Sequence, residues 1–437
     1  MYTDRAAACD IYHLLCGKPN AVVASVHVGV QSHCALLTRR LMSIFGPIGV
    51  LTLTALLVVP AASVAQTSLD ESLRPYLATY ALPAVAVAIV QEGAIIAVGA
   101  VGTRKAGAMI PVTVHDRWHL GSDGKAMTAL LAAILVEEGK LRWTSTLADV
   151  FPELADQLTP ALRTATLEQY LCHTSGLPTD TDDVWDLFGR ATLRDKENLD
   201  EQRYWIVREA SRRPVAATPG QQWAYSNVGY VFAGAMMERV TGQPWEELMA
   251  ERLFAPLALR SSGFGPQVSL GRPDAPLPHM VVDGKPKSFP GGPSADNPPT
   301  AGPAGTAHMS VLDFAHWAGW NAGAGKRGPR LVGAETLKKF HTPVAPTGKR
   351  QDAPPGTPPE GKYGFGWLEV QADFMPEPLL FHGGSNEKNL AHIFIDQKYD
   401  RAMVFVTNIS GSKADEGFRA LAKEMYLKYL APTPPGK

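Results

Sequence analysis

An α+β fold is predicted by three features of the sequence, with an antiparallel sheet flanked by helices and built from both ends of the mature chain. Strand-like stretches gather near the two ends, at 83–90 and 94–101 and again at 364–370, 379–382, 391–395 and 402–408. The stretch from Leu141 to about Leu259 has a mainly helical pattern instead. The run 126–136 is apolar nearly all round and rich in helix formers, so it reads as a buried helix. Together these place a sheet lobe at about 66–140 and 306–430, with a mainly helical lobe inserted at about 141–305.

Each element has its own local signal. Residues 68–80 read as an amphipathic opening helix, and Glu92-Gly93 as the turn of a hairpin. Residues 117–120 lead as a strand into the buried helix, which Gly139 stops. Thr166-Leu167-Glu168-Gln169 has capping-box form, opening a short helix that ends near His173-Thr174-Ser175-Gly176. Pro244 opens a helix over 245–254. Residues 265–305 and 344–359 are rich in proline and glycine and read as long irregular loops. Helix returns at 309–320 and closes the chain at 416–429. No internal repeat is present.

The chain has 437 residues, 45% hydrophobic and 19% charged, with a formal net charge of −1. That supports a large core and gives no basic footprint for nucleic acid. Residues 44–59 are mostly apolar, follow Arg39-Arg40 and lead into Ala61-Ala62-Ser63-Val64-Ala65. This is the form of a secretory signal, 42–65, cut after Ala65, with translation starting at Met42 and 1–41 an upstream extension without readable function. The alternative is an uncleaved membrane anchor, although Gly46-Pro47, Gly49 and Pro60 interrupt it. The expectation is an exported domain over 66–437, periplasmic or secreted. Cys9, Cys16 and Cys34 precede the signal, so Cys172 would stand alone in the mature chain without an internal bridge.

Three motifs carry chemistry. Ser122 lies at the start of the buried helix, among free backbone N–H groups, with Lys125 one turn along the same face. A desolvated lysine can lose its proton and serve as base for a serine. In Tyr225-Ser226-Asn227, the tyrosine can relay protons beside an ammonium and the asparagine can hold an amide. In His382-Gly383-Gly384-Ser385, paired glycines after a strand allow close backbone approach and an N–H for an oxyanion. Each motif alone also has a plain structural account: a serine cap before a solvated lysine, a core tyrosine with an asparagine cap, a glycine turn beside a buried histidine.

In this order, the three motifs resemble the serine β-lactamase-like and penicillin-binding superfamily, in particular its class C β-lactamase, D-aminopeptidase and family VIII esterase branch. Leu171-Cys172-His173-Thr174-Ser175-Gly176-Leu177 and Tyr363-Gly364-Phe365-Gly366-Trp367 support the resemblance. It implies a β-lactamase/transpeptidase-like fold and acyl transfer through a covalent acyl-enzyme. Ser122 would be the nucleophile, Lys125 and Tyr225 the proton-transfer groups, and the N–H groups of Ser122 and Ser385 the oxyanion hole. Asn227, His382, Gly383 and Gly384 would bind substrate. No cofactor or metal is implied, and the partner is a small-molecule or peptide substrate. Where the superfamily often has Lys-Thr-Gly, this chain has His382-Gly383-Gly384, which carries no permanent charge. That favours an ester, amide or peptide over a β-lactam, with β-lactam turnover or acylation without turnover as the alternatives. An α/β-hydrolase is excluded because no serine has glycine two residues away on both sides. The His115-x-x-x-His119 spacing reads as strand rather than as a metal helix.

Overall fold

The computed structural model describes residues 66–350 and 359–431. The expected signal at 42–65, the extension 1–41 and positions 351–358 of the second loop lie outside the described residues. Strand β1 (Thr67–Ser68) leads into α1 (Asp70–Thr79) and the hairpin β2 (Ala84–Gln91) and β3 (Ala94–Gly102). Glu92 and Gly93 close that hairpin with φ of 50° and 80°, the hand that suits twisted strands. Then β4 (Arg117–His119) enters a 3₁₀ turn, Gly121–Asp123, and α2 (Gly124–Glu137).

The inserted helical region follows. It comprises α3 (Leu147–Val150), α4 (Pro160–Thr164), α5 (Leu167–Leu171), α6 (Asp182–Thr192), α7 (Leu199–Ala210), α8 (Asn227–Thr241) and α9 (Trp245–Met249). The last continues as a π-helical turn, Ala250–Phe254. After it come β5 (Gly263–Phe264), β6 (His279–Val282), β7 (Lys285–Ser288), α10 (Gly302–Gly305), β8 (Ala307–Ser310), α11 (Val311–Ala322) and α12 (Ala334–Phe340). The chain closes with β9 (Ala345–Pro346), β10 (Lys362–Gly364), β11 (Trp367–Val370), β12 (Leu379–Ser385), β13 (Leu390–Asp396), β14 (Arg401–Thr407) and α13 (Ser412–Met425).

Nine of these strands form one sheet in the order β1-β3-β2-β14-β13-β12-β11-β10-β9. Only β1 and β3 pair in parallel. The two ends of the chain meet where β2 pairs with β14, from Val85↔Thr407 to Gln91↔Arg401. Alternation along β2 sends Ala84, Ala86 and Ala88 towards α2 and α11, and Val85, Val87 and Ile89 towards α1 and α13. Burial on both faces explains why this strand is an unbroken apolar run.

Several local expectations need correction. Residues 364–370 are two strands, β10 and β11, turned at Phe365 and Gly366 with φ of 52° and 82°. The segment 265–305 contains the β6–β7 hairpin, closed at Asp283-Gly284. The helix expected from 309 begins at Val311, because 307–310 pairs with β4 and β5 as a strand. Helix α12 had no counterpart in the sequence reading. Strand β12 does not stop at His382 but runs through the glycines to Ser385.

Candidate functional site

Helix α2 is buried from Gly124 to Leu135, so its first turn delivers Lys125 into the interior. Its own bulk of Ala, Leu and Ile side chains drives that burial. The preceding 3₁₀ turn carries Ser122. Gly121 takes φ +53°, and a Cβ there would fall 2.4 Å from Ser385 N, so only glycine lets the turn touch the strand. From the other side, a Cβ on Gly384 would lie 1.8 Å from Leu120 O. The serine turn and β12 are therefore in direct backbone contact, with residues 382–385 paired to β13 and lying beyond the last β11 pairing at Phe381.

The Lys125 Nζ lies 3.0 Å from Ser122 Oγ, 2.6 Å from Asn227 Oδ1 and 2.7 Å from Ala304 O. It also stands over the Tyr225 and Tyr230 rings, 4.8 and 5.3 Å from their centroids. Burial pushes the ammonium down to about 7, against the opposing pull of Asp180 and Asp123. Two of its three close partners are carbonyl oxygens, which only accept. A neutral amine would give its two N–H groups to them and keep its lone pair for the Ser122 hydroxyl.

Asn227 is the first residue of α8, and both ends of its amide are engaged. Oδ1 faces Lys125, while Nδ2 donates to Asp180. Asp180 also accepts from the Asn227 backbone N–H at 3.1 Å, so one carboxyl caps the helix and fixes the amide orientation. Tyr225 packs on His173, with ring centroids 4.3 Å apart, and His173 Nδ1 accepts from Ser226 N at 3.1 Å.

His382 is a buried residue of β12. Its Nε2 is 3.2 Å from the Tyr363 hydroxyl and its Nδ1 2.9 Å from Gly383 O. Burial, reinforced by the Lys125 charge, pushes it down to about 3, so the ring is neutral at ordinary pH. Asp123 lies 3.6 Å from His382 Nδ1, and burial holds its carboxyl well above the usual range. Among the described residues neither Asp123 oxygen has a hydrogen-bond partner. Beside the site is a cleft of about 330 Å³ walled by Trp223, Tyr225, Tyr363, Phe381, His382 and Gly383.

The structure thus brings Ser122, Lys125, Tyr225 and Asn227 together, with the strand of His382, Gly383, Gly384 and Ser385 against the serine turn. The sequence alone does not point to Asp180 or Ala304, and it offers His119 only as half of a metal spacing that the strand reading sets aside. A lone aspartate after Leu177-Pro178-Thr179 offers no pattern, and a backbone carbonyl offers none at all. Cys172 is a buried free thiol that burial pushes up to about 12, so it is not the nucleophile.

The family model described as "Beta-lactamase" matches residues 69–425. Penicillin-binding protein 4 of Amycolatopsis lactamdurans is 28% identical over 256 residues, 56% of this chain and 61% of that protein. Lovastatin esterase of Penicillium rubens is 31% identical over 169 residues, 36% of this chain and 41% of that protein. The chain thus spans less than two thirds of these curated relatives. A D-stereospecific amidohydrolase from Streptomyces sp. superposes with a TM-score of 0.61 at 21% identity, over 80% of this chain and 96% of that one. At that identity the likeness is one of fold.

Proposed function

The chain belongs to the β-lactamase family, and we propose that it is a serine hydrolase acting through a covalent acyl-enzyme on an ester, amide or peptide carbonyl. The observation that carries this reading is the buried Lys125 amine, 3.0 Å from Ser122 Oγ with carbonyl oxygens as its other close partners. Ser122 Oγ attacks the carbonyl carbon as its proton passes to Lys125 Nζ. The tetrahedral oxyanion is held by the N–H groups of Ser122 and Ser385, a donor of this kind being worth ~3 kcal/mol. The proton moves by way of Tyr225 to the leaving group as its bond to the acyl carbon breaks. In the second half, water attacks the acyl carbon as it gives a proton to Tyr225, Tyr225 passes its own proton to Lys125 Nζ, and Ser122 Oγ departs taking a proton from Lys125.

Asn227 holds Lys125 through Oδ1, and its second amide N–H is offered to the acyl side of the substrate. Gly383 and Gly384 leave backbone room beside it. Neutral His382 gives no cation for a carboxylate. The cleft is walled mainly by aromatic rings, with Arg350 also in its lining, which suits a substituent with an apolar body. We further propose that the domain is exported through 42–65, which N-terminal sequencing of the secreted protein tests.

The deciding experiment is intact mass after a serine-directed phosphonate, on wild type and Ser122→Ala. An adduct on the wild type alone supports the reading, and an unlabelled wild type removes it. A panel of short p-nitrophenyl esters, a chromogenic cephalosporin and D-alanyl peptides then separates substrates. Cephalosporin turnover dominating the panel would overturn the argument from His382, and a persistent adduct without turnover would indicate a sensor.

A further inference from the structure

We propose that a chain of buried polar side chains, from the 265–305 segment to the nucleophile turn, fixes the separation of the Ser122 and Ser385 backbone N–H groups. His119 and Asp296 are its central positioning residues. The inference rests on the hydrolase reading above. The chain starts at Gly121, whose N–H donates to His119 Nδ1 at 3.0 Å. A neutral imidazole that accepts at Nδ1 carries its proton on Nε2. That nitrogen lies 2.6 Å from Asp296 Oδ1, and the two side chains are 0% and 1% exposed. His119 Nε2 makes no hydrogen bond among the described residues, so this is a close polar contact.

The same Asp296 oxygen accepts from Asn386 Nδ2 at 3.2 Å, and Asn386 directly follows Ser385. Asn386 Oδ1 accepts from Asn389 Nδ2 at 2.9 Å, and Asn389 Oδ1 from Gln267 Nε2 at 2.7 Å. Each amide is thereby held in one orientation by its neighbour. Asn297, next to Asp296, donates to Gly305 O at 2.9 Å. A Cβ on Gly305 would fall 2.8 Å from Gly121 C and 3.1 Å from Ser122 N, so this branch also ends on the serine turn.

One carboxylate oxygen therefore ties together His119, two residues before the turn, and Asn386, the residue after the strand end. Burying five polar side chains is costly unless they pair. Here His119, Asp296, Asn386, Asn389 and Gln267 are linked one to the next, although His119 Nε2, Asp296 Oδ2 and Gln267 Oε1 have no hydrogen-bond partner among the described residues, and none of the five lines the cleft beside Tyr225. What they share is the geometry of two touching backbones. The long segment is a brace under the oxyanion site rather than a loose flap.

Two substitutions divide the chain at His119. His119→Gln keeps an amide near Nε2 for Asp296 and gives up the acceptor for Gly121, whereas His119→Asn does the reverse. With a p-nitrophenyl ester, each is expected to lower kcat about tenfold or more at unchanged KM. That is below the ~10²-fold a misplacement of about 1 Å can cost. Affinity for a boronic acid that forms a tetrahedral adduct on Ser122 should fall by the same factor, with the protein still folded and its thermal midpoint lowered only modestly. Among the described residues Asp296 Oδ2 has no hydrogen-bond partner, so Asp296→Asn should stay within about twofold of wild type while Asp296→Leu behaves like the His119 variants. Variants with wild-type kcat and boronate affinity would overturn the proposal. So would failure of all but Asp296→Asn to fold, which would make the chain a stability element. Absence of any boronate adduct in the wild type would instead sink the hydrolase reading, and this role with it.

Discussion

On the proposed mechanism Lys125 must be neutral to accept the Ser122 proton, and burial pushes its pKa down to about 7. The amine protonates as pH falls through 7, so kcat/KM is expected to drop on that side, roughly tenfold per unit well below it. Asp123 raises this pKa, so Asp123→Asn should move the acid limb to lower pH. Because both Asp123 oxygens lack partners, the same change should leave stability equal or higher. A pH–rate profile and a thermal melt on each protein check both statements, and an unmoved limb would remove Asp123 from the account. Asp180 is expected to act through Asn227: Asp180→Ala frees the amide to turn and should slow acylation about tenfold, read by stopped-flow burst. At this scale, the sequence showed what stands next to what along a helix or strand. Ser122 and Lys125 are three residues apart, and Tyr225 and Asn227 two. Asp180, His119 and Asp296 reach their partners across 47, 2 and 90 positions and through loop backbone, where no periodicity marks them.

At the scale of elements, the contact between the serine turn and β12 makes a directional prediction about neighbouring glycines. Gly384 faces the turn, where a Cβ would sit 1.8 Å from a carbonyl oxygen of backbone that cannot give way. Gly383 faces the other side, where a Cβ would meet the His392 and Phe381 rings at 3.3 Å. Gly384→Ala should therefore abolish phosphonate labelling of Ser122 and lower the melting midpoint sharply, whereas Gly383→Ala, which meets movable side chains instead of backbone, should lower the midpoint less and leave Ser122 labelled. Equal behaviour of the two variants would contradict the packing described. The same glycines explain why the strand was read as ending at His382: they have poor strand propensity and are held by pairing with β13. Phe365 hid the β10–β11 turn because an aromatic residue rarely takes φ of +52°. Asp283-Gly284 was a readable hairpin signal, overshadowed by the proline content around it. The two-ended sheet itself was legible because burial on both faces of β2, β13 and β14 demands apolar runs.

For the whole molecule, the question is whether the inserted helical region and the sheet unfold separately. They share a core: Leu130 and Ala133 of α2, Tyr230 and Val231 of α8, and Ile393 and Val404 of the sheet belong to one contiguous buried cluster. Unfolding of either part would strip apolar area from the other, so a single cooperative transition is expected. The helical region also contains a charge cluster separate from the Ser122–Lys125 pair. Arg203 is fully buried between Glu238 and Glu246, with contacts of 2.6 and 2.7 Å. Burial raises the Glu238 pKa and Arg203 opposes that rise. Arg203→Met leaves the carboxylates without their cation, which should cost about 3–5 kcal/mol at neutral pH. With the cation gone, the folded-state pKa of Glu238 rises further. The deficit should then be largest above that pKa and narrow as pH falls through it, since the folded state binds the extra proton. Urea unfolding followed by tryptophan fluorescence and by residual labelling of Ser122 tests the whole argument. Both probes should shift together to lower urea in the variant, and more at pH 8 than at pH 5. A fluorescence transition that moves while labelling stays in place would mean that the helical region melts alone and that the shared core does not couple it to the site.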